Sequence, residues 1–529
     1  MMTQTPILKI RNLRVEARKS VLLDDVSIQL APGEVLGIIG ESGAGKSTLA
    51  LSSILLMRPG CRVTSGSVEL CGESLIGMSQ PELEEIRRTK AAYVAQSAAA
   101  AFNPFYRLES QITELPALCG RLGRSERQKL AADLFEELQL PDPETFGKRY
   151  PHQVSGGQLQ RAMIAMALIN QPQLIIFDEP TTALDVTTQI EVLLLIRKVV
   201  RRHNCAALYV SHDLAVVAQM ADRILVMRHG KMVEEGPTRQ LVEAPRTDYA
   251  RQLVSNRGHH GYAAPVDTEA PVLDIRNATA IYGRMTAVDD ISMSLAPGEV
   301  LALVGESGSG KTTLARCVAG LQTLNKGTIL LQGTPLPPLV EQRSFEQRRL
   351  VQYIHQLPDL ALNPRQTLRQ IIGRALSFFH KMTGAERERR LAELMEAIEL
   401  PVSYLDRYPS ALSGGQKQRI CIARSLAAKP KLLICDEITS ALDPLVEESI
   451  VALLSRLIRD EDLAVLFITH NLGLAARFSH KVAVMQHGKM AEYGPTSAVF
   501  ETPQSAYARK LMEAVPQLDE GWLDSRQPA

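Results

Sequence analysis

Gly40-Glu41-Ser42-Gly43-Ala44-Gly45-Lys46-Ser47, with Thr48 behind it, decides the reading of this 529-residue chain. The stretch follows the apolar run Val35 to Ile39 and precedes a helix-like segment. Strand, glycine loop and helix, in that order, form the context a phosphate-binding loop needs. Glycines let successive backbone N–H groups turn inward on an anion, at the positive end of the following helix. Lys46 supplies a point charge for the outer phosphates, and the Ser47 hydroxyl suits a Mg²⁺ ion. The loop returns as Gly305-Glu306-Ser307-Gly308-Ser309-Gly310-Lys311-Thr312, followed by Thr313.

Working outward from the two loops, the whole chain is a duplication. Ala31 to Ala50 returns as Ala296 to Ala315, VSGGQLQR from Val154 as LSGGQKQR from Leu412, and FDEPTTALD from Phe177 as CDEITSALD from Cys435. Even PRTDYARQL from Pro245 has a counterpart, PQSAYARKL from Pro503. A period this long, carrying its own glycine and acid motifs, means duplicated domains and not a solenoid. The expected boundaries are a first domain over 6–257, a linker over 258–271, a second domain over 272–515 and a tail over 516–529. The linker lacks apolar periodicity and is rich in Gly, Ala and Pro. It spans at most about 45 Å at ~3.3 Å per residue, with no room for a third domain.

Short β-rich runs (LKIRNL, VLGII, QLIIF, AALYVSH) alternate with helical stretches in each half. The expected fold is α/β, two tandem P-loop domains, each with a mixed or largely parallel β core. Helical spacing in AADLFEELQL and LAELMEAIEL predicts an inserted helical subdomain over about Ser110 to Arg149 and Leu368 to Arg407.

Apolar residues at 45% and charged residues at 22% are ordinary for a globular protein, and a net charge of +1 sets up no field for nucleic acid. The seven cysteines include no C-x-x-C pair and read as reduced thiols. Met1 to Lys9 has no apolar core of a signal peptide, and no stretch approaches ~18 consecutive apolar residues. The chain is therefore expected not to cross a membrane itself.

Leu174 to Phe177 leads into Asp178-Glu179, and Leu432 to Cys435 into Asp436-Glu437. A buried strand delivering two acids at its C-terminal end suits Mg²⁺ contact by the first acid and water activation by the second.

Phosphate loop, Ser-Gly-Gly-Gln, apolar strand with Asp-Glu, Ala-Leu-Asp and a following His together resemble the nucleotide-binding domains of ABC ATPases, over nearly the whole chain. The resemblance implies ATP and Mg²⁺ as ligands. It makes Ser155-Gly156-Gly157-Gln158 and Ser413-Gly414-Gly415-Gln416 signature loops, each capping the γ-phosphate held by the opposite half in a head-to-tail pair. One implied site joins Lys46, Ser47, Gln96, Asp178, Glu179 and His212 to Ser413, Gly414 and Gly415. The other joins Lys311, Thr312, Gln356, Asp436, Glu437 and His470 to Ser155, Gly156 and Gly157. By the same resemblance Gln96 and Gln356 sense Mg²⁺ and touch a membrane partner, with Ser47, Asp178, Thr312 and Asp436 as the other metal contacts. Glu179 and Glu437 are the implied catalytic acids, with His212 and His470 as switch histidines. Asp185 and Asp443 match the loop that couples the sites. Both sites are expected to hydrolyse ATP.

The copies differ at the adenine. Tyr282 stands where the family stacks an aromatic, and Ala17 stands in its place in the first half. Stacking on a base contributes ~1–3 kcal/mol, so the first site is expected to hold ATP several-fold more weakly.

The absence of spans separates this sequence from ABC exporters, and the short linker from relatives acting on ribosomes. DNA-repair relatives insert long coiled coils that are also absent here. Asn103-Pro104, Asn363-Pro364-Arg365, Tyr150-Pro151, Tyr408-Pro409 and the tails at Tyr249 and Tyr507 resemble the oligopeptide/dipeptide/nickel importer group. The implied protein is a peripheral ATPase subunit at the cytoplasmic face of a bacterial inner membrane. Two membrane-spanning permease subunits, and indirectly an extracytoplasmic solute-binding protein, are its implied partners, with no nucleic acid. Peptide or glutathione is the first expected cargo, and nickel or a metal–chelator complex the alternative. A soluble ABC ATPase acting on ribosomes or DNA is the competing class. No Cys follows Cys435, so no iron–sulfur cluster is expected near the C-terminus.

Overall fold

Val35–Ile39, Leu174–Asp178 and Ala206–Val210 are buried at every position, which only a strand covered on both faces allows. In the computed structural model they lie side by side and parallel, with Ala206–Val210 between the other two. Arg223–Arg228 and Ala91–Val94 extend the parallel sheet, and Lys231–Pro237 closes one edge antiparallel. The structure describes residues 5–18, 20–120, 122–182, 184–255, 270–283, 285–440, 442–519 and 521–526. Of the expected linker only Ala270 and Pro271 fall among these.

The chain divides into two units, Met1–Gly258 with Pro516–Ala529, and His259–Val515. The second unit repeats the six-stranded sheet in the order Val351–Ile354, Leu432–Asp436, Ala464–Ile468, Val300–Val304, Lys481–Gln486 and Lys489–Pro495. Each unit adds a four-stranded antiparallel sheet, which the strand alternation alone did not reveal. In the first unit it runs Ser20–Leu30, Leu8–Ala17, Cys61–Leu70, Glu73–Ser74. Residues Leu8, Ile10, Leu13 and Val15 pack with Leu36, Ile38, Leu174, Ile176 and Leu208 of the parallel sheet. Leu273 and Ile275 meet Leu301, Leu303, Ile434 and Leu466 in the same way in the second unit.

The inserted helices cover the opposite face. In the second unit Ile371, Ile372, Leu391 and Leu394 join Ile420, Ile422, Leu433, Cys435 and Phe467 in one core. Here the copies diverge for a local reason. Leu368–His380 is one helix, whereas the first unit breaks into Leu108–Ile112 and Glu114–Leu118. Pro116 lacks the N–H that a continuous helix would use, and its ring crowds the preceding turn.

Past Val515 the chain belongs to the first unit. Leu523 is fully buried there and Trp522 nearly so. Gln219 donates to the carbonyl oxygens of Gln517 and Asp519 and accepts from the Leu523 N–H. Arg197 pairs with Asp524 at 2.5 Å. Because Gln219 lies on Leu214–Met220, the helix directly after His212, the tail braces the wall behind a candidate site residue. W522A in the full chain is expected to cost this unit about 3 kcal/mol, in the usual range for emptying an aromatic pocket. Thermal unfolding with amide exchange over Leu214–Met220 measures it; unchanged exchange would show that the tail bears no load.

Candidate functional site

In each unit the parallel sheet carries its chemistry at the C-terminal ends of the strands, where loops can present side chains without breaking the sheet. The glycine loop after Val35–Ile39 has a backbone that only glycine can follow. Gly40 has φ 148° and Gly45 φ 99°; a Cβ would stand 2.2 Å from the Met227 carbonyl oxygen at the first and 2.9 Å from that of Leu22 at the second. Gly305 and Gly310 repeat this against the carbonyl oxygens of Met485 and Ala287, at 2.1 and 2.2 Å. The loop thereby folds over its own lysine. Lys46 is buried, and its Nζ donates to the carbonyl oxygens of Gly40 and Glu41 at 2.7 and 2.9 Å. Lys311 Nζ donates to Gly305 and Glu306 at 2.9 and 2.7 Å, and also to Ser309 Oγ at 3.3 Å. Ala44 holds the matching position in the first unit, so this last contact belongs to the second loop alone.

Ser47 and Thr312 reach the first acid of each pair. Ser47 Oγ donates to Asp178 at 3.0 Å and Thr312 Oγ1 to Asp436 at 3.2 Å. A tyrosine takes the other carboxylate oxygen: Tyr93 donates to Asp178 at 2.8 Å, and Tyr353 donates to Asp436. Burial raises both aspartate pKa values, and the hydrogen bonds from tyrosine and hydroxyl offset part of it. Tyr93 and Tyr353 went unread in the sequence, although each stands three residues before the glutamine of its loop in both copies.

Glu179 and Glu437 turn the chain at the strand end with φ 51° and 48°, a left-handed backbone that costs a residue with a Cβ about 1–3 kcal/mol. Hydrogen bonds from their N–H groups to Val210 and Ile468 carbonyl oxygens hold that turn. It aims the second carboxylate away from the first and at the expected partners. Gln96 donates to Glu179 at 2.9 Å, and His212 Nδ1 lies 3.2 Å from it. Gln356 donates to Glu437 at 2.7 Å, and His470 Nδ1 lies 3.7 Å away. Lysine, hydroxyl, both acids, glutamine and histidine thus converge within each unit.

The signature residues start the helices Gly156–Leu168 and Gly414–Leu426. Ser155 accepts from Gln158 N–H while the Gln158 side chain accepts from Ser155 N–H, and Ser413 and Gln416 do the same. A Cβ on Gly157 would lie 2.4 Å from Thr188, and on Gly415 2.4 Å from Val446, so glycine here lets two helices touch. Gly156 has open space at its Cβ. Asp185 and Asp443 cap the helices Val186–His203 and Pro444–Glu461, accepting from the N–H groups of Thr188 and Val446. Tyr282 ends Leu273–Tyr282 with 40% of its surface exposed, a ring available for stacking; Ala17 ends the matching strand.

Burial lowers the His212 pKa, but the hydrogen bond to Glu179 and its charge outweigh that, leaving it above the ordinary 6.5. Burial raises Glu179, yet the His212 contacts and the Lys46 charge leave it below the ordinary 4.5. The histidine's share of stability is complete below pH 6.5 and lost as pH rises through its raised value. The glutamate's share is complete above pH 4.5 and lost as pH falls through its depressed value. An NMR titration of the nucleotide-free chain is expected to put His212 above the ordinary histidine value, and E179Q to lower it. No change in E179Q would mean the two side chains do not interact in solution.

The family pattern described as ABC transporter matches residues 23–182 and 288–440. A second, described as oligopeptide/dipeptide transporter, C-terminal region, matches residues 491–529. The chain is 38% identical to the glutathione import ATP-binding protein GsiA of Escherichia coli (strain K12), over 96% of this chain and 89% of that protein. It is 38% identical to the protein of that name from Salmonella choleraesuis (strain SC-B67), over 94% and 86%. Among solved structures, a dimeric ATP-binding cassette, MJ0796, in a post-hydrolysis state with ADP and Pi matches 44% of this chain and 98% of its own, at 28% identity and a TM-score of 0.40. With two matched cassettes and relatives alike over nearly its full length, the chain belongs to the ABC transporter family, carrying an ATPase domain in each half.

Proposed function

We propose that this chain energises an importer of small peptides, with glutathione as the leading cargo. The observation that carries the reading is its likeness to glutathione import ATP-binding proteins across almost the whole of both sequences. The C-terminal match to the oligopeptide/dipeptide group supports it independently. No described helix is long and apolar enough to cross a membrane, so the proposal needs separate permease subunits. Exposed apolar side chains beside the glutamine loops support such docking: Phe105 and Tyr106 after Gln96, Leu357 and Leu360 after Gln356. Attachment at the cytoplasmic face of the membrane and supply by a solute-binding protein belong to the same proposal.

At each site Lys46 or Lys311, oriented by its backbone carbonyls, turns its charge on the β- and γ-phosphates of ATP, at a helix start that already favours anions. Glu179 or Glu437 orients the attacking water and accepts its proton as the bond between the γ-phosphorus and its bridging oxygen breaks. His212 or His470, beside that carboxylate, contacts the γ-phosphate, and Gln96 or Gln356 reports on its presence. Ser47 with Asp178, and Thr312 with Asp436, offer hydroxyl and carboxylate oxygens a few ångströms apart, hard donors that suit Mg²⁺. No group of three or more His, Cys, Asp or Glu gathers for a metal among the described residues, so phosphate and water would complete the shell. Bound there, Mg²⁺ would offset charge building on the phosphates. The signature loops and the pairing of the halves belong to the proposal on the strength of the duplicated motifs.

E179Q and E437Q are each expected to lower ATPase activity by about half or more, and the double variant at least tenfold. In the double variant, a nucleotide titration should resolve two affinities, the tighter one lost in Y282A. A silent single variant would leave one site binding without hydrolysis, and one uniform affinity would remove the asymmetry between Tyr282 and Ala17.

Uptake decides the cargo. A deletion strain carrying the gene should recover labelled glutathione uptake, and mild detergent extraction should bring down two hydrophobic permease chains. Recovery of Ni²⁺ uptake alone would replace peptide by metal. Ribosomes in place of permeases would overturn transport altogether.

A further inference from the structure

Each half ends in a short helix, Asp248–Ser255 and Ala506–Glu513, that carries a tyrosine at its start. Both rings are buried, Tyr249 at 5% exposure and Tyr507 at 9%. Both hydroxyls make the same contact. Glu41 N–H donates to Tyr249 Oη at 3.2 Å, and Glu306 N–H donates to Tyr507 Oη at 3.1 Å. These N–H groups belong to the Gly40–Glu41 and Gly305–Glu306 peptides. The carbonyl oxygens of the same two peptides accept the buried lysine ammonium groups, at 2.7 and 2.9 Å. In each unit, one peptide plane is gripped by a tyrosine on its N–H edge and by the lysine on its C=O edge.

That coupling has a physical consequence. An acceptor on the N–H edge polarises the peptide and strengthens its carbonyl as an acceptor. It also stops the peptide from rotating, which would carry the carbonyl away from the lysine. The tyrosine is itself held from behind. Glu234, on the last strand of the first unit, accepts from the N–H groups of Arg246 and Thr247 and from the Thr247 hydroxyl, just before the helix begins. Glu492 accepts from the N–H groups of Gln504 and Ser505 in the same position of the second unit. In the first unit Arg228 adds a lid, lying 4.7 Å over the Tyr249 ring and 3.7 Å from the Glu41 carboxylate. Gln486 stands at the matching place in the second unit.

The geometry points to Tyr249 and Tyr507 as positioning residues for nucleotide binding, setting through one shared peptide where the phosphate-loop lysine is held as it meets ATP. The inference rests on the assignment of Lys46 and Lys311 to the phosphates. It also gives the Pro-x-x-x-Tyr tails a physical role, because the C-terminal segment of each half becomes part of its ATP site without touching nucleotide.

The test is the full chain carrying Y249F and Y507F together, which keeps both rings and removes only the hydroxyls. KM for ATP is expected to rise about 3- to 10-fold, the range for losing a neutral hydrogen bond at each site, with kcat changing less than KM. The unfolding midpoint should stay within about 2 °C of the parent, since the rings still fill their pockets. E234A with E492A, which frees the helix starts and leaves the tyrosines in place, should move KM in the same direction. An unchanged KM in Y249F/Y507F overturns the inference, and so does a rise matched by a general loss of thermal stability. K46A/K311A separates the two readings. Lost ATP binding there with an unchanged KM in the tyrosine variant sinks the tyrosine role alone. Intact ATP binding in K46A/K311A sinks the lysine assignment and the inference with it.

Discussion

Two ammonium groups, Lys46 and Lys311, are buried in loops whose backbone supplies their partners. A charge removed from water is costly unless it is hydrogen-bonded, so each loop must bring carbonyl oxygens within reach of its own lysine. That requirement explains the glycines: the chain reaches these positions only with positive φ, pressed against the carbonyl of a neighbouring strand. It explains the central strand too, because a loop so tightly specified needs an anchor that does not move. Val35–Ile39 and Val300–Val304 are buried along their whole length between parallel neighbours.

From that anchor the other groups follow in order across the sheet. The next strands but one deliver Asp178 and Asp436 to the Ser47 and Thr312 hydroxyls. One residue on, a left-handed turn points Glu179 and Glu437 the other way. Two adjacent carboxylates in one environment would compete for a proton. Here their surroundings differ: burial, with the neighbouring glutamate's charge, raises the aspartates, while histidine contacts lower the glutamates. The same left-handed backbone recurs at both glutamates, with φ 51° and 48°.

Duplication makes departures between the halves informative. The lysine cradle, the tyrosine–aspartate contact, the helix-capping signature serine and the tail tyrosine occur twice with nearly the same geometry. Ser309 against Ala44, Tyr282 against Ala17 and Arg228 against Gln486 differ; Ser309 reaches Lys311 within its glycine loop, and Arg228 lies near Glu41 of the other. The first unit also gains the chain's last residues, whose Trp522 and Leu523 pack behind the helix that follows His212. The two ATPase domains share a catalytic core and differ in what surrounds it.

The sequence by itself determined the α/β fold, the duplication and, within each unit, the lysine, hydroxyl, acids, glutamine and histidine that the structure brings together. These are written in short contiguous motifs whose backbone demands are local, as with Gly40 to Ser47 or the acids ending an apolar strand. Tertiary structure alone decided which distant groups complete them. Nothing near Glu41 announces that its N–H will meet the Tyr249 hydroxyl, because the sheet edge and the helix after it must first fold back. The antiparallel sheet and the docking of the C-terminal tail were hidden for the same reason, since burial there depends on surfaces remote in the chain. Pro116 is the converse: one residue in the sequence breaks a helix that the other half keeps whole.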